Sequence, residues 1–356
     1  MFILVINPGS TSTKIAIFED AKSIFQKTIR YTVEELDSYP VITDQYSFRN
    51  QSVVSSVIND ANFDISQLNC VIGRGGMLKP IGAGIYEVNE AMLSDLRNNK
   101  YGEHASNLGA LIAHEVASGL NDVKAYIADP VVVDELEDVA RISGHPLLKR
   151  ASVFHALNQR AVARHYARGM GTDYEKLRLI VAHLGGGVSV GAHRYGKVID
   201  VNDGLNGDGP FSPERAGGLP AWPLAQLCFS GEYSAAKVKK MITGKGGYVA
   251  YFGTNDAREI ENRALNGDER AALIENALAY QVAKEIGAMA TVLEGRVDAI
   301  IITGGVAYGE PITKAISDRI SFIAPVKVYP GEDEMRALAE NALMLYRGKQ
   351  ELKIYV

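Results

Sequence analysis

The stretch Phe2-Ile3-Leu4-Val5-Ile6-Asn7-Pro8-Gly9-Ser10-Thr11-Ser12-Thr13-Lys14 opens the chain. Its apolar run is bounded by turn residues and reads as a buried strand. The small residues that follow form a turn, and Ile15-Ala16-Ile17-Phe18 resumes as a second strand. A turn of this kind lets backbone N–H groups approach phosphate oxygens closely. Two later segments repeat the pattern of apolar strand and glycine turn. They are Leu179-Ile180-Val181-Ala182-His183-Leu184-Gly185-Gly186-Gly187-Val188-Ser189-Val190 and Ala299-Ile300-Ile301-Ile302-Thr303-Gly304-Gly305-Val306-Ala307. A single glycine pair says little. The ordered set points to a nucleotide held by two similar halves.

Between these segments strands alternate with helices, as in an α/β protein. In the first half a strand is expected over 24–31, a mixed helical region over 34–60 and a strand into the glycine turn Gly73-Arg74-Gly75-Gly76. Helices follow at 90–96 and 105–118, then a strand at 124–128 closed by Asp129-Pro130. The second half begins with a helix at 156–168. A β-hairpin over 179–200 follows, then helices at 235–242 and 268–293. The last has an apolar stripe through Leu273, Leu278, Val282, Ile286 and Met289. Strands at 299–303 and 326–329, a helix at 334–346 and a short strand or tail at 352–356 complete the chain. Strands first, then alternating helix and strand in each half, suggest a duplication. The boundary falls between Asp129 and Ala156, and no Pro/Ser-rich linker marks it.

The 356 residues favour two domains over one. A net charge of −5 with scattered basic residues gives no footprint for nucleic acid or anionic membrane. No apolar stretch reaches the ~20 residues of a membrane span, and the start lacks the basic region of a signal peptide. Cys70 and Cys228 lie in apolar contexts without motif spacing, and read as buried, reduced thiols of a cytoplasmic protein.

Asn7 stands at the carboxyl end of the first strand, where open α/β sheets place ligands. Ser10, Thr11, Ser12 and Lys14 add hydroxyls, N–H groups and a cation, a set that suits a terminal phosphate with its magnesium; a plain polar hairpin is the alternative. His183 and Gly185, Gly186 and Gly187 follow the second strand, and Gly304 and Gly305 the third. Arg74 and Arg215 sit in glycine-framed loops, from which arginine grips carboxylate or phosphate bidentately or pairs with a neighbour such as Glu214. His155 lies at a helix start, as a cap or core residue or as a ligand-facing group. Asp129 and Glu334 are candidates for magnesium, although Glu332-Asp333-Glu334 also fits ordinary acidic placement at a helix N-terminus. His104 and His114 read as surface or core residues. The near-Walker run Gly191–Val198 ends in Val198 where Ser or Thr is required, and lies in a hairpin.

The chain resembles the acetate kinase family of the sugar kinase/actin-type ATPase superfamily over essentially its whole length. The resemblance rests on Val5–Lys14, Phe154-His155, His183-Leu184-Gly185-Gly186-Gly187, Arg215 and Gly304-Gly305. It implies a two-domain actin-like ATPase (ribonuclease H-like) fold with duplicated βββαβαβα cores and ATP in the interdomain cleft. Residues 1–150 would form an acyl- and phosphate-binding domain completed by the C-terminal helix 335–356, and residues 151–334 a nucleotide-binding domain. Asn7, Ser10, Ser12 and Lys14 would border the phosphates and magnesium, and Arg74 would hold the substrate carboxylate. Asp129, His155 and Arg215 would surround the transferring phosphoryl group. Asn7, Asp129 and Glu334 would serve the metal, His183 and its glycines the phosphate path, and Gly304 and Gly305 the adenosine.

The implied reaction is phosphoryl transfer from ATP to a short-chain fatty carboxylate, with ADP and Mg2+ as the remaining participants and a homodimer or larger assembly as the working form. The stretches Val201–Leu219 and Gly75–Tyr86 depart from the acetate kinase pattern (Ser-Met-Gly-Phe-Thr-Pro and His-Gly-Gly, respectively), and favour a longer acyl group such as butyrate or isobutyrate. A carboxylate nucleophile is already ionised near neutral pH, whereas a sugar hydroxyl wants a positioned base. An acetate or propionate kinase, a sugar or hydroxyl kinase and an actin-like ATPase switch are the alternatives within the superfamily.

Overall fold

The computed structural model describes residues 1–356, the side chain of Val33 excepted. The chain divides into one unit of residues Met1–Val133 and Asp333–Val356 and a second of Asp134–Glu332.

In the first unit β1 (Phe2–Pro8) pairs antiparallel with β2 (Ser12–Glu19), which pairs antiparallel with β3 (Lys22–Arg30). On its other side β1 runs parallel to β4 (Cys70–Arg74), and β4 parallel to β6 (Lys124–Ala128). Two short strands, β5 (Ile85–Glu87) and β12 (Leu352–Lys353), extend that edge. Leu4 and Ile6 share a core with Leu108 and Ile112 of helix Asn107–Ser118. The alternate residues Ile3 and Val5 point to the opposite face, where helix Glu334–Tyr346 packs along β1, β4 and β6. Burial on both faces explains why β1 is a continuous apolar run instead of an alternating one.

The second unit repeats the arrangement with β7 (Arg178–Leu184), β8 (Val188–Arg194), β9 (Lys197–Val201), β10 (Ala299–Gly304) and β11 (Val326–Pro330). Its order is β11-β10-β7-β8-β9, with β7–β8–β9 antiparallel and β7, β10 and β11 parallel. The corresponding order in the first unit is β6-β4-β1-β2-β3. The two sheets therefore have one topology, as a duplication requires. Helix Ala156–Gly169 covers one face through Val162, Ala163 and Tyr166 against Leu179 and Val181. Helix Glu269–Val292 covers the other through Val282 and Ile286 against Ile180 and Ala182.

Residues 134–150 go with the second unit because their polar groups are satisfied there. The Glu135 carboxylate lies 3.2 Å from Arg160, Arg150 lies 2.9 Å from Asp200, and the Glu137 N–H donates to Ile199 O.

The mixed helical region over 34–60 consists of Val33–Asp37, the 3-10 turn Ile42–Gln45, helix Tyr46–Ser55 and a π turn Ser56–Asp60, broken at Tyr39-Pro40 because proline cannot continue a helix. Two local expectations are corrected. Leu273 is 65% exposed; it lies five residues before Leu278, off the face that steps of three and four carry to Met289. Cys228 is exposed, at the end of helix Ala221–Cys228, which buries none of its residues. Cys70 is buried on β4, and burial pushes its thiol up to about 12. The segment 191–198 lies in the β8–β9 hairpin, which excludes a phosphate loop between strand and helix. Among the described residues no helix is long and apolar enough to cross a membrane.

Helix Glu269–Val292 carries a pH-dependent liability. Burial, reinforced by the Asp208 charge, pushes the Glu285 carboxyl up to about 7 against the opposing pull of Arg150. Glu275 is raised to about 7 by burial and by Glu261. Between the ordinary carboxyl value and about 7 the folded chain holds more protons than the unfolded one, so stability falls as pH rises through that window. Glu285→Gln is expected to raise Tm at about pH 8 and leave it nearly unchanged at about pH 5. Thermal denaturation at the two pH values checks this, and an equal shift at both would contradict it.

Candidate active site

In the first unit the β1–β2 register sets Asn7 opposite Lys14 and Pro8 opposite Thr13. Directly opposed residues share a face, so the turn residues and Lys14 follow from the strand pairing. The Asn7 side chain is buried. Its Nδ2 donates to Glu334 Oε2 at 2.7 Å, and its Oδ1 accepts from Arg74 Nη1 at 3.5 Å. Arg74, at the end of β4, also lies 3.3 Å from Glu334 Oε2. Asn7, Arg74 and Glu334 thus form one group at the carboxyl edge of the sheet, and Glu334 is the carboxylate that Arg74 pairs with.

The acidic run separates cleanly. Glu334 turns inward to Asn7, Asp333 caps the last helix by accepting from the Arg336 N–H, and Glu332 lies 2.9 Å from His183. Asp129 follows Ala128, the β6 residue that pairs with Arg74 in the parallel register of β4 and β6. It is buried, with φ of 40°. Its Oδ1 accepts from Gly84 N at 2.9 Å while its own N–H donates to Gly84 O. A non-glycine residue in the left-handed region costs about 1–3 kcal/mol, and such strain concentrates at functional sites.

The turn between β1 and β2 is braced by Arg49, from helix Tyr46–Ser55, which no sequence signal singled out. Arg49 is fully buried. Its Nη1 donates to Gly9 O at 2.7 Å and to Ser12 O at 3.2 Å, its Nη2 donates to Ser10 O at 2.7 Å, and both Nε and Nη2 donate to Gln45 Oε1. The guanidinium also stacks 4.6 Å from the Tyr31 ring centroid, and the Tyr31 hydroxyl donates to Thr13. The carbonyls of the turn are drawn back onto Arg49, while Ser10, Thr11 and Lys14 remain exposed. Every hydrogen-bond partner of this cation is neutral, and burial lowers its pKa from the ordinary arginine value.

In the second unit, His155 precedes helix Ala156–Gly169 and His183 ends β7. Their rings stack at 3.8 Å with an interplanar angle of 12°. His183 is fully buried between Asn158 Oδ1 at 2.8 Å and Glu332 Oε1 at 2.9 Å. The Gly185–Gly187 turn closes with Gly185 N donating to Gly187 O. Arg215 lies against it: a Cβ on Gly187 would stand 2.0 Å from Arg215 Nη1, so the absence of a side chain there admits the guanidinium. Arg215 Nη1 donates to Gly204 O. Ser212, which sequence reasoning also missed, ties the loop down by donating to Gly186 O and accepting from the Arg215 N–H. Gly304 has φ of 95°, and its missing Cβ makes way for Leu184 O, which sets the β10 turn beside Gly185. Gly305 has open space at the corresponding position.

Similarity to known proteins gives the family. A model of the acetokinase family matches residues 145–329. The chain is 56% identical over 353 residues, 99% of both chains, to butyrate kinase 2 of Clostridium acetobutylicum. The chain belongs to the acetokinase family. Its structure is similar to the crystal structure of Porphyromonas gingivalis acetate kinase, with a TM-score of 0.79, 20% identity and coverage of 97% of this chain and 99% of the other. A ROK hexokinase from Thermus thermophilus matches with a TM-score of 0.50 and 15% identity, covering 98% of this chain and 99% of the other. Both likenesses are of the fold. As an acetokinase-family member the protein is a carboxylate kinase, a phosphotransferase whose substrates are ATP or ADP and a carboxylate or its acyl phosphate.

The brace at the acetokinase turn yields a direct test. Arg49→Met removes the side-chain donor from the carbonyls of Gly9 and Ser10, whereas Ser12 O keeps the Gly9 N–H. Unsatisfied groups cost about 1–3 kcal/mol each, so a loss of about 2 kcal/mol or more is expected. Chemical denaturation measures the loss. Amide hydrogen exchange should show protection lost first at residues 9–13, and unchanged exchange there would refute the brace.

Proposed function

We propose that the protein is a butyrate kinase that transfers the ATP γ-phosphoryl group reversibly to a short-chain fatty carboxylate, butyrate or isobutyrate foremost, to give acyl phosphate and ADP. The observation that carries this reading is similarity to butyrate kinase 2 at 56% identity over 99% of both chains. In the reaction a carboxylate oxygen bonds the γ-phosphorus. The bond from that phosphorus to its bridging oxygen breaks, and the electron pair leaves with ADP. No proton moves, because the carboxylate is already ionised. The chemistry therefore asks for orientation and charge compensation instead of a base.

Each candidate residue has a role in that scheme. Arg74, held by Asn7 and Glu334, orients the carboxylate. Ser10, Thr11, Ser12 and Lys14 bind the terminal phosphate at the braced turn. His155 and Arg215 donate to the transferring phosphoryl group. His183 and Gly185–Gly187 line the phosphate path, and Gly304 and Gly305 flank the adenosine. Asn7, Asp129 and Glu334 offer the hard oxygen donors that magnesium takes. A nucleotide-borne ion needs only one or two protein carboxylates, and Asp129 and Glu334 are that number. When bound, magnesium offsets charge on the phosphate oxygens.

The working form is a cytoplasmic homodimer or larger assembly. Helix Ala221–Cys228 supports this, since it leaves Trp222 71% exposed and is followed by Phe229 at 91%, an apolar surface of the kind that partners cover.

Trapping acyl phosphate with hydroxylamine tests the assignment. With Mg-ATP and acetate, propionate, butyrate, isobutyrate or glycerol supplied in parallel, hydroxamate is expected to form best with the four-carbon acids. ATP turnover with glycerol alone would return the protein to the sugar-kinase reading. Arg215→Ala is expected to lower kcat on the order of a thousandfold, the scale of transition-state arginines, and near-normal turnover in the folded variant would remove Arg215 from its role.

A further inference from the structure

A line of buried polar side chains runs through the second unit to His155. Tyr174, Gln159, Ser189 and His193 are all essentially inaccessible. The Tyr174 hydroxyl lies 2.7 Å from His193 Nδ1, and His193 Nε2 lies 2.9 Å from Gln159 Oε1. Gln159 Nε2 donates to the Ser189 carbonyl at 3.0 Å and to Ser189 Oγ at 2.9 Å, and Ser189 Oγ lies 2.9 Å from His155 Nδ1. The His155 backbone N–H also donates to Ser189 Oγ, at 3.4 Å.

Donor and acceptor capacities leave one assignment for this line. A backbone carbonyl only accepts, so the Gln159 atom facing Ser189 O must be its amide nitrogen, and its oxygen must face His193. His193 then carries its proton on Nε2, and its Nδ1 accepts from Tyr174. Burial supports the neutral ring by pushing the His193 pKa down to about 3. At the other end Ser189 Oγ accepts from Gln159 Nε2 and from the His155 N–H, which occupies both of its lone pairs. Its hydroxyl proton must go to His155 Nδ1.

We propose that the buried chain Tyr174–His193–Gln159–Ser189 holds His155 as the neutral tautomer protonated on Nε2, with Gln159 and Ser189 as positioning residues. His155 thereby presents a fixed Nε2–H donor. The catalytic use of that donor rests on the reading that His155 serves the transferring phosphoryl group, whereas the tautomer does not.

The test uses the whole enzyme with 15N-labelled histidine. Long-range 1H–15N correlation reports the tautomer of each ring, and His155→Gln identifies the His155 signals by their loss. The expected wild-type pattern at about pH 7 is protonated Nε2 with unprotonated Nδ1. Ser189→Ala should convert it to a mixture of tautomers and lower kcat by about tenfold, with KM for ATP and for carboxylate within about twofold. Ser189→Cys, which keeps a donor of similar size, should retain the Nε2–H form. A doubly protonated ring or an Nδ1–H tautomer in the wild-type protein overturns the proposal, as does an unchanged tautomer in Ser189→Ala. If the spectra are as expected but His155→Gln turns over normally, the tautomer stands and the catalytic role of His155 falls.

Discussion

The site in the first unit depends on the two-sided burial of β1. A strand packed on both faces cannot slip by one residue without exchanging its two sets of side chains between faces. The register that sets Asn7 opposite Lys14 is therefore held by Ile3, Leu4, Val5 and Ile6, all fully buried. β7 plays the same part in the second unit, where a buried run ends in His183 and the glycine turn. In each case the core determines where the chemistry begins, and the turn that follows inherits its position.

Positioning in both units is completed by buried polar groups. Arg49 takes the carbonyls of the first turn, and the Tyr174–His193–Gln159–Ser189 line takes His155. Such groups stabilise only when every member is satisfied, and an orphaned member costs more than an apolar replacement. That asymmetry gives them geometric authority: a side chain bonded on every polar atom has one orientation. Removing a hydroxyl from the line or the guanidinium from the turn should loosen the site while the sheets stay intact.

The proposed reaction joins two anions and calls for cations. In the first unit Arg74 is tethered by Glu334, and in the second Arg215 by the Gly204 carbonyl. Arg49 adds a buried cation whose hydrogen-bond partners are all neutral, directly behind the proposed phosphate turn. Pre-placed charge of this kind costs no reorganisation at the moment of transfer. A carboxylate acceptor arrives without a proton to lose, so the assigned roles include binders and donors but no general base.

Much of this was legible in the residues. The apolar runs at Phe2–Ile6, Leu179–Leu184 and Ala299–Ile302 specify central strands because period and burial are local properties of a chain, and glycine and proline mark the turns that end them. Asn7 stood out at the first of those turns, Arg74 at the end of β4, His155 just before helix Ala156–Gly169 and Arg215 in a glycine-framed loop. Other features were invisible in one dimension. Leu273 and Cys228 are apolar by type and exposed by position, since exposure depends on what packs against a helix. Nothing near Arg49, Gln159 or Ser212 announces a partner. Arg49 reaches Gly9 across 40 positions and Gln159 reaches Ser189 across 30. The sequence alone thus determined the strands, the turns and the chemical character of the site. Only the tertiary structure decided which side chain satisfies which buried donor or acceptor, because that pairing exists only once distant segments share one interior.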